Sequence, residues 1–492
     1  APIKALSNQK FRDFRDRYGD KVGIITGDVS LNSHAPLLIM TTEIYRNRLF
    51  EETSDLSQIA WIIFDEIHYL DDPERGTVWE ESIMFSPDHI NFIGLSATVP
   101  NIQEIADWIQ IVHNRTIDVI VESHRPVPLT HNFQAQGKVL WTVEQLKKYG
   151  YLNTADWGAA HRAPHHRRSS RTYYHTSTKF HVTPNRIDSL INHIRENNGL
   201  PCIYFTFARK RTEQLAQEIS SYSFLSAEEA ASVNTLFSDL CHQYDIHNEP
   251  TILTLSELVR KGIAFHHAGM LPTVQEVVER LFTSRLIKAL FTTERFALGI
   301  NMPAKTVVFD ELKKFNGADL GPLRTRDYYQ MAGRAGRRGM DDKGVVYTRI
   351  NPRHISLPTV KKIIYGDPEP VISQFNATYA TLLNLYGHYN ESLTDIYLKS
   401  LHYFQSTKRN RKRAKAAIQR KIDLLKQAGY IAGNTLTNKG LFASSMYGYE
   451  LLLSELFDDG ELETLTAQEL IVLLTALVFE PRKGDYEPRY DH

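Results

Sequence analysis

The run Ile59-Ala60-Trp61-Ile62-Ile63 closes on Phe64-Asp65-Glu66-Ile67-His68. Five apolar residues in succession predict a buried strand, and the residues that end it are two carboxylates and an imidazole. A parallel α/β sheet accommodates this pattern, because ligands bind outside the carboxyl ends of its strands. An Asp-Glu pair at that edge suits a hydrated magnesium ion beside an attacking water.

The chain has 492 residues, and single cores rarely exceed roughly 250–300 residues, so more than one domain is expected. Its formal net charge is +0, so affinity for a nucleic acid must come from local basic surface rather than a global field. Cys202 and Cys241 are the only cysteines, which excludes a disulfide scaffold and points to a reducing, cytoplasmic setting. No run of about 18 apolar residues occurs, so no membrane span is expected. The sequence opens on Ala1-Pro2 without a methionine and reads as a fragment.

Residues 1–124 alternate apolar runs (21–26, 37–41, 59–64, 90–95) with helical patterns such as 102–109, as a doubly wound sheet does. Arg125-Pro126-Val127-Pro128 breaks that rhythm, since proline disfavours a helix and donates nothing to a ladder. A linker with a basic insertion is expected over 125–184. A second alternating domain follows over 185–357, with strands at 202–207, 289–293 and 306–309 and a helix at 212–220. Residues 358–450 turn helical, and the helix, Gly429-Tyr430 and segment 431–436 suit a winged helix. Over 451–492, Thr466-Ala467-Gln468-Glu469 is a capping box opening an apolar helix, the start of a further helical domain.

The tetrad Asp65-Glu66-Ile67-His68 spells D-E-x-H. Around it stand Pro2-Ile3-Lys4-Ala5-Leu6-Ser7-Asn8-Gln9, Thr41-Thr42-Glu43, Ser96-Ala97-Thr98, Ile203-Tyr204-Phe205-Thr206-Phe207 and His266-His267-Ala268-Gly269-Met270. Thr293-Glu294-Arg295-Phe296-Ala297-Leu298-Gly299-Ile300-Asn301-Met302-Pro303-Ala304 and Gln330-Met331-Ala332-Gly333-Arg334-Ala335-Gly336-Arg337-Arg338-Gly339 complete the set. Each is short, but their order resembles motifs Ia to VI of superfamily 2 helicases, with the tetrad as Walker B. The spelling of the first, of Asn301–Phe309 and of Gly336-Arg337-Arg338-Gly339 resembles the superkiller-like DExH-box RNA helicases. A DNA-repair branch of the same superfamily is similar, but more usually carries proline where Arg338 stands. A non-catalytic pseudohelicase that binds nucleic acid is the reading from another class.

The resemblance implies two RecA-like lobes, a winged helix and part of a helical bundle. It implies ATP and magnesium as cofactors, single-stranded RNA as the partner, 3′-to-5′ movement and a nuclease or exosome-like associate. Hydrolysis needs a metal, a polarised water and cations for the transition-state charge. Asp65 is then the metal-side ligand, with Glu66 beside it as general base and second candidate for magnesium. Arg334 and Arg337, three apart, are expected on one helical turn as arginine fingers, with Gln330 one turn earlier on the same phosphates. His68 and Ser96-Ala97-Thr98 take the coupling role, and Gly299 and Asn301 face the nucleotide. Pro2, Lys4, Thr41, Thr42 and Thr293 contact RNA, although a lone threonine at such a site is commonly only a helix cap.

A phosphate-cradling loop needs G-x-x-x-x-G-K-[ST]. The only Gly-Lys pair is Gly137-Lys138, followed by Val139. The resemblance places that loop before residue 1, which implies negligible autonomous hydrolysis. Two basic stretches remain. His161, Arg162, His165, His166, Arg167, Arg168 and Arg171 read as a basic loop rather than a metal site, for no cysteine or carboxylate joins them. The eight Lys and Arg residues from Lys408 to Lys421 read equally as a solvated helix face or an RNA track.

Overall fold

The computed structural model describes residues 1–50, 56–151, 182–294, 296, 303–315, 319–390, 393–446 and 448–479. The basic stretch 161–171 and the pair Gly299 and Asn301 lie outside them.

The first lobe opens on α1 (Lys4–Tyr18), after which β1 (Val22–Ile25), β2 (Ser30–Leu31) and β3 (Leu37–Met40) form a sheet of order β2-β1-β3. The helix α2 (Thr42–Phe50) follows. β4 (Trp61–Asp65) lies parallel to β5 (Asn91–Leu95), in a register that sets Asp65 opposite Leu95. Between them runs α3 (Gly76–Met84), and after them α4 (Ile102–His113). Phe64, Trp79, Ile83 and Trp108 pack into one core. The apolar run before Asp65 is nevertheless buried on one face only. Trp61 and Ile63 are 59% and 58% exposed, because helices cover the Phe64 side of the strand pair and leave the other open.

The second lobe is built on a seven-stranded sheet. In chain order its strands are β6 (Leu129–Ala135), β7 (Lys138–Leu140), β8 (Cys202–Thr206), β9 (Ile263–His266), β10 (Ala289–Thr293), β11 (Thr306–Phe309) and, later, a strand over Gly344–Ile350. A small hairpin, β12 (Lys313–Phe315) with β13 (Leu320–Pro322), precedes that last strand, β14. The order is β7-β6-β14-β11-β8-β10-β9, parallel throughout except for β7. β8, β9 and β11 are buried at every residue, as sheets covered on both faces by helices require. Those helices are α5 (Ile187–Glu196), α6 (Arg209–Glu218), α7 (Ala227–Tyr244), α8 (Pro250–Val259) and α9 (Pro272–Thr283).

Two expected boundaries move. β6 falls within the stretch read as a linker, so the second sheet begins at Leu129 and not near residue 185. After α10 (Thr325–Ala332) and β14 comes α11 (Leu357–Tyr365), whose Val360, Ile363 and Ile364 enter the second lobe's core, so that lobe runs past 357. Residues 366–378 then form an extended strap across the first lobe. Val371 on it, with Ile396 and Leu401 beyond, joins the first lobe's core.

The strap leads to α12 (Tyr379–Tyr389) and the long α13 (Lys408–Gln427). A hairpin of β15 (Ile431–Ala432) and β16 (Thr435–Leu436) precedes α14 (Asn438–Ser444) and α15 (Glu450–Asp458). α16 (Ala467–Val478) opens on the expected capping box, with Thr466 and Glu469 bonded reciprocally. It contains no buried residue, and Ile471, Val472 and Val478 stand exposed. Contiguous apolar surface of this kind drives association. Light scattering is expected to show the 492-residue chain self-associating more than a version ending at Gly460. That version keeps Glu455, which holds Lys439 and the Tyr430 hydroxyl. Equal monodispersity of the two would refute this.

Candidate nucleotide site between the lobes

β4 delivers Asp65 at its carboxyl end, and the next residue breaks the strand. Glu66 takes the left-handed conformation (φ 65°, ψ 46°) and starts a 3-10 turn over Ile67–Asp71. The turn lifts the Glu66 carboxylate out of the sheet toward the second lobe. Burial, reinforced by the neighbouring Asp65 charge, pushes Glu66 up to about 6, against a smaller opposing pull from Arg334. Arg334 comes from the other lobe and is itself drawn downward by burial while Glu66 holds it up. The Lys10 ammonium of α1 lies 3.0 Å from Asp65 Oδ2.

His68 is buried, and burial with the Arg326 charge lowers it to about 4. It is therefore neutral near pH 7, so its Nε2 can accept from the Gln330 amide, whose nitrogen lies 3.5 Å away across the lobe interface. His68 Nδ1 is 3.3 Å from Glu66 Oε2 without hydrogen-bond geometry. A cavity of about 150 Å³ adjoins this contact, lined by His68, Asp71, Lys314, Arg326 and Gln330 among others.

The two arginines expected on one helical turn do not share one. α10 ends at Ala332, Ala335 bridges to Ala304, and Gly336 has φ +86°. A Cβ on Gly336 would meet Val127 Cγ1 at 2.5 Å, so only glycine fits this turn. The turn separates the pair's directions. The charges of Arg334 and Glu66 act on each other across the lobes, whereas Arg337 forks onto Asp341, with Nε–Oδ2 and Nη2–Oδ1 both 2.8 Å.

The structure thus gathers Asp65, Glu66, His68, Gln330 and Arg334, and holds Arg337 on its own carboxylate. Ser96-Ala97-Thr98 forms the loop after β5, with Ser96 and Thr98 exposed, and the cross-lobe contact of His68 goes to Gln330. Among the residues expected on RNA, Lys4 stands exposed, whereas the two threonines at the start of α2 do not. Pro2 O accepts from Arg75, Lys4 pairs with Asp28, and Thr41 and Thr42 are buried, with Thr42 Oγ1 3.4 Å from Ala1 O. Ala1 N donates to Met40 O at 2.8 Å, which sets the first residues against the start of α2 beside Thr42. Thr293 ends β10, half-buried. Sequence reasoning missed Lys10, Asp71, Arg326 and Glu369. Only Asp71 carried a signal, three residues beyond the tetrad.

Residues 1–105 match the DEAD/DEAH box helicase family, 235–339 the helicase conserved C-terminal domain and 433–491 the DSHCT (NUC185) domain. Superkiller complex protein 2 of Mus musculus is 38% identical over 470 residues, covering 92% of this chain and 37% of that protein. Exosome RNA helicase MTR4 of Homo sapiens is 40% identical over 397 residues, covering 78% and 37%. DExH-box ATP-dependent RNA helicase DExH10 of Arabidopsis thaliana is 38% identical over 420 residues, covering 83% and 42%. The chain thus spans less than half the length of these relatives. Among the described residues no helix is long and apolar enough to cross a membrane. With both helicase lobes, the D-E-x-H turn between them and the DSHCT match in one chain, the protein belongs to the superkiller-like DExH-box helicases.

Proposed function

We propose that this chain is the core of an ATP-driven motor that moves along single-stranded RNA during RNA processing or decay. The observation that carries the reading is the convergence of Glu66 and Arg334 from different lobes. Nucleotide hydrolysis requires a base for the attacking water and a cation for the charge that develops on the transferred phosphate. Glu66, ionised at neutral pH yet raised by burial, takes the proton of that water. Arg334 meets the phosphate charge, and Arg337 joins it only after leaving Asp341. Gln330 and His68 carry the state of the site across the lobe interface.

The donor set fits magnesium, since Lys10 already places a positive charge 3.0 Å from Asp65 Oδ2 where a metal-bound water would sit. Asp65 would hold the ion through water, with Glu66 beside it, and the ion supplies charge neutralisation when bound. Gly299 and Asn301 are assigned to the nucleotide, Ser96 to Thr98 to coupling, and Pro2, Lys4, Thr41, Thr42 and Thr293 to RNA, by motif position. Of these, Thr42 needs Ala1 to shift before it can reach a strand, because its hydroxyl lies 3.4 Å from Ala1 O. We read the module from α12 to α14 as a winged helix. An exosome-like nuclease as associate rests on the relatives' names. A cytoplasmic location accords with Cys202 and Cys241 being buried and unbridged.

Unwinding by the natural gene product, measured on matched RNA and DNA tails, tests the reading: preference for DNA, or no strand separation at all, sinks it. The rate of hydrolysis is also expected to fall as pH drops through about 6, the Glu66 value, because the base works only when ionised. An acid limb near the ordinary glutamate value would mean that another group titrates.

A further inference from the structure

One carboxylate joins the end of the D-E-x-H turn to the start of α10. Asp71 Oδ2 accepts from Arg324 Nη1 at 2.7 Å and from Arg326 Nη2, while Oδ1 accepts from Ile372 N at 3.4 Å and Gln374 Nε2 at 3.3 Å. The Asp71 and Arg326 side chains are 8% and 5% exposed. Charges so deeply placed need partners, and removing either one strands the other in a poor dielectric.

A second carboxylate holds α10 from the strap. Glu369 sets one oxygen 3.0 Å from Thr325 N and the other 3.1 Å from Arg326 N. This satisfies two donors that a helix start leaves open and puts negative charge at the helix's positive end. Beyond Glu369 the strap is bonded to the first lobe. Asn101 exchanges two hydrogen bonds with the Val371 backbone, Ser373 Oγ donates to Glu80 Oε2 at 2.6 Å, and Thr77 Oγ1 donates to Gln374 O at 3.2 Å. The strap's far end receives Lys421 Nζ of α13 on Ala377 O at 2.6 Å.

The three attachments make a closed triangle of turn, helix and strap. We infer that Asp71, Arg326 and Glu369 form a three-way junction that positions α10 against the D-E-x-H turn and holds the second lobe to the unit made by the first lobe and the helical module. If the lobes part, Asp71 must leave Arg326 or draw α10 with it. Because the strap is fixed to the first lobe by Asn101, Thr77 and Glu80, the strain falls on the segment 366–370 next to Glu369. Pro368 and Pro370 restrict φ there, so this segment resists the displacement instead of absorbing it. Gln330 lies one turn further along α10, so its distance from His68 is set at this junction. These three are positioning residues. The inference deepens the motor reading and rests on it for its purpose, but not for its geometry.

Three spin labels on the full chain test it, one on the first lobe (Gln110→Cys), one on the second (Glu228→Cys) and one on α13 (Arg420→Cys), measured pairwise. Cys202 and Cys241 are buried and stay unlabelled. Each pair is expected to give one narrow distance distribution. In Asp71→Asn, and more mildly in Glu369→Gln, the lobe–lobe and second-lobe–module distributions are expected to broaden. The first-lobe–module distribution should stay narrow, because the Asn101, Glu80 and Thr77 bonds remain. No change in any pair overturns the inference. So does broadening of all three pairs in both variants, which would make these residues supports of the whole fold. Failure of the motor reading would appear instead as absent RNA-stimulated hydrolysis in the natural gene product, with these distances unaffected.

Discussion

Glu66→Gln in the natural gene product is expected to lower RNA-stimulated ATP hydrolysis by about 10²–10⁴-fold, the usual contribution of a positioned general base. The amide keeps the size of the side chain and its place opposite Arg334, but cannot take a proton. ATP and RNA affinities are therefore expected to change little. Steady-state turnover together with direct binding separates the outcomes. If RNA binding is lost along with turnover, Glu66 shapes the turn and is not the base.

Arg334→Ala is expected to cost on the order of 10³-fold or more in turnover, the scale set by removal of arginine fingers, with a much smaller effect on nucleotide affinity. The guanidinium meets charge that grows only as the phosphate transfers, so its loss appears in the rate. Arg337→Ala is expected to be less damaging, because the fork of Arg337 is engaged by Asp341 and must be freed before it can act. Single-turnover hydrolysis by the two variants decides the order. Arg337→Ala proving the worse would mean that the nucleotide rearranges the turn after Gly336.

Much of this architecture was legible in the residues, for reasons that can be stated. β8 and β11 read as strands because covered parallel strands are continuously apolar, and the two carboxylates after β4 read as a site because a strand end is where charge can emerge. β6 escaped notice because Leu129-Thr130-His131-Asn132-Phe133-Gln134-Ala135 looks like a loop. Its buried polar members are satisfied from far away. Gln134 donates to Arg186 O at 2.8 Å and accepts from Arg349 Nε at 3.0 Å, and no local pattern announces such partners. The Arg334 and Arg337 directions were misjudged because spacing by three presumes a helix, and Gly336 ends that presumption. Asp71 stands three residues beyond the tetrad, but its role was hidden for the same reason as that of Gln134, since its partner Arg324 stands 253 residues away.

The left-handed backbone at Glu66 bears on how inactivating changes behave inside a cell. A non-glycine residue at φ 65° carries roughly 1–2 kcal/mol of backbone cost. The carboxylate adds to it, because a folded-state value of about 6, above the unfolded one, makes ionisation near pH 7 work against folding. Replacement by glycine or asparagine removes the charge and relaxes the backbone together. Glu66→Gly is therefore expected to melt no lower than the parent while its catalysis is gone, as a thermal melt would show. Such a protein would escape the quality control that clears unstable variants. It would accumulate at the abundance of the active protein, so its defect would be read in turnover and not in the amount of folded chain.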